Sequence, residues 1–301
     1  MRRPFGQSGR RVHHSRSTMR VALIGCGKWG SRLAAKIISH PSLDLVAIIA
    51  PNKKATRKFR RYRAAELTEK HNVEGVIIAI PPEADRITPM LGALDAGVRT
   101  VLIEKPVALS VSEAEVIGSI GDAFDAEIFV GHTPAFNPSL ATVKRVLALH
   151  NINSGLFFRS SRAPLGAYGG PLFDLSSHDL AVHATLFPQA WRDTIEITRV
   201  ILDPIDKCIA FSLGCGSMFT SGQGEDLEPV REQLFQCPTL GMVISEVTGR
   251  ITANNREVGL LDPDPLFYEL QQFSERKGFS IMLAIKTTAV LQEVRRMLGA
   301  S

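Results

Sequence analysis

Five short runs, "RVALIG", "LDLVAIIA", "GVIIAI", "VRTVLIE" and "AEIFVG", follow one another between Arg20 and Gly131 and are apolar almost without alternation. A strand that is apolar on both faces must be covered on both faces, as in a parallel sheet with helices on either side. Between the runs lie "SRLAAKIISH", "EADRITPMLGALDAG" and "SVSEAEVIGSIGDAF", each with apolar residues at helical spacing. This order predicts an α/β fold, a doubly wound parallel sheet over residues 19–131. Only residues 52–72 are cramped, with room for a short helix, a short strand near "RRYR" and another helix.

The texture changes after Gly131. A helix in "NPSLATVKRVLALH" is followed by alternating segments such as "SGLFFRSS", "IEITRVIL" and "CIAFSLGC", with a helix in "FDLSSHDLAVHATLF" among them. "PTLGMVISEV" and "GRITANN" continue the strands, and helices in "PLFYELQQFSERKG" and "IMLAIKTTAVLQEVRRML" complete the pattern. Runs of strands with few crossovers predict an α+β domain with a largely antiparallel open sheet over residues 132–301, its last helix free to pack back on the first domain. A chain of 301 residues accommodates two such domains.

The formal charge of +5 is carried by residues 1–18, which hold Arg2, Arg3, Arg10, Arg11 and Arg16 and no acid. The remainder is neutral, so the basic balance belongs to a tail and not to a binding face. Residues 1–18 are expected to be a disordered basic leader, or a stretch upstream of a start at Met19. They lack the apolar segment of a secretory signal. No run is long and apolar enough to span a bilayer. Four cysteines without CxxC or metal-ligand spacing predict reduced thiols and a cytoplasmic protein. The expected partner is a small molecule, with neither nucleic acid nor membrane.

In "VALIGCGKWGS", Gly25, Gly27 and Gly30 form GxGxxG between a strand and a helix. Gly25 permits the tight turn, Gly27 the approach of backbone to a pyrophosphate, and Gly30 close helix–strand packing. The helix N-terminus supplies N–H donors and positive potential to phosphates. A dinucleotide site is expected here, with Lys28 and Trp29 as further contacts. The end of the second strand, "IIAPNKKATRK", has Ala50 where an acid would accept bonds from the adenosine ribose, followed by Asn52 and Lys53. That favours NADP(H) over NAD(H), against the alternative of a solvated turn. Pro81 and Pro82 in "AIPPEA" end a strand at the carboxyl edge of the sheet, where ligands of doubly wound folds bind.

"EKP" ends the next strand on the same edge. Glu104 and Lys105 are therefore expected beside the cofactor, with Pro106 holding Lys105 extended. An ammonium there stabilises developing alkoxide; the bland alternative is a surface Glu–Lys pair. In "FDLSSHDLAVH", Asp174 and His178 stand four residues apart and share a helix face. An imidazole is the natural proton acceptor for alcohol oxidation near neutrality, and a carboxylate can orient it. Asp179 and His183 are assigned structural roles. A metal held by Asp174, His178 and His183 fits the spacing poorly, so no metal is expected.

With these motifs in this order, the chain from residue 19 to 301 resembles the glucose–fructose oxidoreductase / inositol dehydrogenase (Gfo/Idh/MocA) family. The resemblance implies an NAD(P)-dependent oxidoreductase with a Rossmann domain and an α/β domain whose open sheet forms a homodimer or homotetramer. By it, Lys105 matches the "EKP" lysine, and Asp174 and His178 match the aspartate and histidine near the substrate. "GHTPAFNPSL", "RSSRAPLG" and "FDLSSHDLAV" look like the branch acting on nucleotide-linked sugars, which implies substrate contacts by Asn137 and Arg162. Both have plainer readings, an N-cap and a surface residue. The implied reaction moves a hydride between a secondary alcohol of a sugar and nicotinamide. His178 takes the proton, Asp174 orients His178, and Lys105 stabilises oxygen charge. The alternative is a cofactor-binding redox sensor or assembly protein without turnover. A weaker one is nucleic-acid binding through the leader.

Overall fold

A computed structural model describes residues 18–52, 54, 56–162, 170–203 and 208–299. In the first half, strands β1 (Met19–Ile24), β2 (Leu43–Ile49), β3 (Arg63–Ala64), β4 (Gly75–Ile78), β5 (Thr100–Glu104) and β6 (Glu127–Gly131) are all parallel. Their spatial order is β3-β2-β1-β4-β5-β6, the doubly wound order with its switch point between β1 and β4. Helices α1 (Lys28–Ser39), α2 (Ile87–Asp95) and α3 (Val111–Ala123) make the crossovers. The cramped stretch holds two short 3-10 segments, Arg57–Tyr62 and Glu69–His71, on either side of β3. β4 and β5 are buried at every position, which is why their sequences show no alternation.

After a 3-10 turn at Thr133–Phe136 come α4 (Ser139–Leu149), β7 (Leu156–Ser161) and a π-wound turn, Leu172–Ser176, that runs into α5 (Ser177–Leu186). Then follow β8 (Ile197–Asp203), β9 (Cys208–Leu213), β10 (Met218–Gln223), β11 (Val230–Cys237), β12 (Leu240–Ser245), β13 (Arg250–Ala253) and β14 (Arg256–Leu260). These strands form one sheet in the order β14-β13-β12-β11-β7-β10-β9-β8. It is antiparallel except where β7 and β10 run side by side in parallel. Phe157, Phe211, Phe219 and Phe235 are fully buried on its helix-covered face. Phe219 stacks between Phe157 and Phe211 at 4.8 and 5.0 Å between ring centroids.

The chain then returns to the first sheet. Helix α6 (Pro265–Ser274) docks on α1 through Lys36 Nζ to Asp264 Oδ2 at 2.6 Å and the His40 ring against the Phe267 carbonyl. β15 (Phe279–Ser280) adds an antiparallel edge to β6, and α7 (Ile281–Met297) packs along α3. The first sheet therefore has seven strands, one of them from a stretch that the sequence pattern assigns to the second domain. Among the described residues no helix is long and apolar enough to cross a membrane.

Candidate active site

A cavity of about 1260 Å3 lies at the carboxyl edge of the first sheet and is closed on its far side by the second. The glycine turn forms one wall. Gly25 sits at φ +94°, a left-handed conformation, and a Cβ there would fall 2.3 Å from the Ala79 carbonyl oxygen. A Cβ on Gly30 would fall 2.3 Å from the Gly25 carbonyl oxygen, so α1 packs directly on the turn. Gly27 differs: a Cβ there would meet nothing within 4 Å, because its backbone faces the open cavity. Gly27 is also the N-cap of α1, which has no capping side chain and no acid in its first turn. The N–H donors of that turn are thus left to a ligand, and the cradle fits a dinucleotide diphosphate.

Lys28, Trp29, Asn52, Pro81, Pro82, Glu104 and Lys105 line the same cavity. Lys53 lies outside the described residues. Asn52 Oδ1 accepts from the Lys54 amide at 2.9 Å, which shapes the turn after β2. Glu104 is buried; its carboxyl meets the Trp29 side chain, while Oε1 has no partner. Burial raises it to about 7, against the opposing pull of Lys105 and Arg86. The Lys105–Pro106 peptide is cis.

Asp174 and His178 reach the cavity from the π-wound turn and α5. Here the structure corrects the expected pairing. The Asp174 carboxylate bonds Lys105 Nζ through Oδ1 at 2.5 Å, its backbone carbonyl takes a second bond from the same ammonium at 2.7 Å, and Gln223 Nε2 lies 3.4 Å from Oδ2. None of these partners is His178, whose Nδ1 is buried without a hydrogen bond. A full positive charge outcompetes a neutral ring for a half-buried carboxylate. Asp174 therefore orients Lys105. Burial, followed by the charges of Lys105 and Arg159, holds His178 well below the usual histidine range, so its imidazole is neutral.

The two residues taken from the resemblance as substrate contacts are otherwise engaged. Arg162 is exposed, bonds the Glu228 carboxylate and the Leu227 carbonyl, and does not line the cavity. Inward positions on β7 are Phe157, Arg159 and Ser161, so Arg162 lies on the opposite parity. Asn137 does line it, but its amide ties α4 to the loop before α6. Nδ2 donates to the Asp262 carbonyl at 2.9 Å, and Oδ1 accepts from the Ser139 and Asp262 amides.

Several residues that no motif marks complete the site. Arg86, 2% exposed, donates to the carbonyls of Ile80, Glu104, Pro106 and Val107, and so grips both sides of Lys105. His132 stands edge-on to His178 at 5.8 Å, held to about 3 by burial. Glu269 on α6 is buried beside Glu104 and raised well above its ordinary value by desolvation and that neighbour. It interrupts the apolar stripe of α6 at Leu266, Leu270 and Phe273, the only sequence signal it gives. Arg159, at the sheet wall, is buried between Asp179 at 2.8 Å and a bidentate Glu246 at 2.8 and 3.2 Å. His183 lies outside the site: Trp191 Nε1 donates to its Nδ1 at 2.8 Å, which leaves Nε2 to donate to Ser217 Oγ at 2.9 Å. Among the described residues no cluster of three or more His, Cys, Asp or Glu could hold a metal ion.

Comparison with known proteins fits this geometry. Residues 19–132 match the GFO_IDH_MocA family model, described as "Oxidoreductase family, NAD-binding Rossmann fold". Among curated proteins, the chain is 26% identical over 187 residues to 1-carboxy-3-chloro-3,4-dihydroxycyclohexa-1,5-diene dehydrogenase of Comamonas testosteroni. That match covers 54% of this chain and spans 46%, about half, of that relative's length. The whole fold is similar to UDP-N-acetylglucosamine 3-dehydrogenase GnnA from Acidithiobacillus ferrooxidans, with a TM-score of 0.76 and 18% identity over 93% of this chain and 97% of that one. It is also similar to a 3-ketoreductase from Actinomadura kijaniata in complex with TDP-benzene and NADP, with a TM-score of 0.75 and 18% identity over 93% and 98% of the two chains.

Proposed function

We propose that this chain is an NAD(P)-dependent oxidoreductase that interconverts a secondary alcohol and a ketone on a sugar or nucleotide-linked sugar. The observation that carries the reading is convergence: the Lys105–Asp174 pair and the neutral His178 line the same cavity as the uncapped N-terminus of α1. The glycine turn, Trp29, Asn52 and Pro81 would hold the cofactor. When bound, the nicotinamide supplies hydride transfer. Lys105, fixed by two bonds to Asp174, presents a cation that lowers the cost of charge on the substrate oxygen. His178, kept unprotonated by burial, is in the form that accepts the hydroxyl proton. The names of the similar proteins support this substrate class, since a UDP-linked sugar dehydrogenase and a 3-ketoreductase share the fold. Ala50, in place of an acid after β2, supports NADP(H) as the preferred cofactor.

The test is turnover at the nicotinamide absorbance band across UDP-sugars and free sugars. Lys105→Met and His178→Gln are each expected to lose about 100- to 10,000-fold in kcat with cofactor binding retained. Wild-type turnover in either variant refutes the role assigned to it. Competition between NADH and NADPH for the purified protein decides the cofactor, and tighter NADH binding refutes the preference.

A further inference from the structure

The sheet wall of the cavity carries a second cation whose chemistry the proposed reaction does not use. Arg159 on β7 and Arg231 on β11 stand directly opposite each other in the ladder, and Arg231 in turn accepts a backbone bond from Glu246 at 2.8 Å. Three side chains, Arg159, Arg231 and Glu246, therefore share one row and one face, and all three line the cavity. Two arginines opposite each other repel unless their charges are answered. Arg159 is answered twice, by Asp179 and by Glu246. That arrangement leaves nothing for its neighbour. Both Glu246 oxygens bond Arg159, and Oε1 also accepts from Gln233 Nε2 at 2.9 Å. Arg231 has no carboxylate or other side-chain partner among the described residues, and its charge is felt at His178 and Asp179.

Arg231 is exposed, so water answers its charge and the unpaired guanidinium costs the fold little. It is well arranged for a planar oxyanion, which a guanidinium grips with two parallel bonds. The turn after β12, which runs on directly from Glu246, also lines the cavity with Val247, Thr248 and Gly249. Thr248 Oγ1 accepts from the Arg250 amide at 3.3 Å, which leaves its hydroxyl proton to donate.

We propose that Arg231 is the anchor for an oxyanion of the substrate, a carboxylate or a phosphate, on the sheet wall of the cavity, with the Thr248 hydroxyl that lines the same cavity as a second donor. This rests on the oxidoreductase reading for what the anchored molecule undergoes, but not for the binding itself. It makes the substrate anionic, and it makes Arg231 a specificity residue that fixes which carbon faces Lys105.

The experiment is calorimetric titration of the full chain, with and without NADPH, using UDP, D-glucuronate and the uncharged methyl glucoside as probes. The wild-type protein is expected to bind UDP or D-glucuronate in preference to the neutral sugar. Arg231→Gln should weaken that probe about 10- to 100-fold, the range of a charge-assisted bond pair, with Arg231→Lys between the two. Loss for UDP alone identifies a phosphate, and loss for D-glucuronate alone a carboxylate. Equal binding by wild type and Arg231→Gln overturns the proposal, as does failure of both anionic probes to bind the wild-type chain. Lys105→Met, which removes turnover under the proposed function, should keep the oxyanion affinity. A chain that binds the probe through Arg231 but shows no turnover on any alcohol would refute the reaction and leave the anchor standing.

Discussion

Replacing Arg86 with leucine should both loosen the fold and misplace Lys105. The guanidinium is 2% exposed and among the described residues has only carbonyl oxygens as hydrogen-bond partners: Ile80 through Nε at 2.8 Å, Glu104 through Nη1 at 2.9 Å, Val107 at 3.3 Å, and Pro106. Ile80 follows β4, while the other three flank Lys105, so one side chain ties the proline turn to the strand end that presents the ammonium. Removing it leaves at least three of these oxygens without a donor, at about 1–3 kcal/mol each. Relief of burying a cation, whose desolvation already lowers Arg86 to about 10, returns part of that. The net loss should be about 3–5 kcal/mol, as when one partner of a buried ionic contact is removed. Urea unfolding followed by fluorescence suits the question because Trp29 lies in the first domain and Trp191 in the second. Destabilisation should appear in the Trp29 signal, and folded Arg86→Leu should show kcat reduced about 100-fold, since displacements near 1 Å have that effect. A stability loss below about 1 kcal/mol would mean that water replaces the guanidinium, and would refute the clamp.

Gly30→Ala forces a Cβ to 2.3 Å from the Gly25 oxygen and should lose about 1–3 kcal/mol of stability. Gly27→Ala meets nothing within 4 Å and should unfold like wild type, yet bind NADPH at least about 10-fold more weakly by fluorescence titration. In pH titrations of stability, His132 and His183, both held at about 3, disfavour the folded state as pH falls below 6.5, because only the unfolded chain takes up their protons. Glu104 and Asp179, raised to about 7 and about 6, act oppositely: their protons favour the folded state, and that contribution is lost as pH rises through those values. The two pairs offset each other between about pH 4.5 and 6, and below the carboxylate range only the histidines remain. His178, also held low, and Glu269, also held high, add one proton to each side, so stability should be level in that window and then fall at roughly 4 kcal/mol per pH unit, three protons' worth. A steady decline starting at pH 6.5 would refute this account.

The alternation of apolar runs and helical spacing was enough to read the first sheet, because burial on both faces leaves a continuous signal in each strand. The glycine turn was legible for a similar reason: three positions carry three different steric demands within six residues. What the sequence concealed lies in convergence. Arg86, His132, Glu269 and Arg231 come from the start of α2, the end of β6, the inner stripe of α6 and a strand of the other sheet, and nothing local marks them. Arg162 could have been set aside from strand parity alone, since Phe157, Arg159 and Ser161 take the inward positions of β7.

Asp174 is the instructive case. A spacing of four correctly brings it and His178 to one cavity, but spacing says which side chains are neighbours and not which of them bond. The choice of partner is electrostatic. In a half-buried pocket an ammonium gains far more from a carboxylate than a neutral imidazole does, and Lys105 arrives from β5 to claim it. Once that pair forms, its cation disfavours a second positive charge nearby and helps burial to keep His178 neutral. Under the proposed reaction, the lysine that steadies the substrate oxygen also keeps the neighbouring histidine unprotonated, and Asp174 bears on that histidine only by placing Lys105.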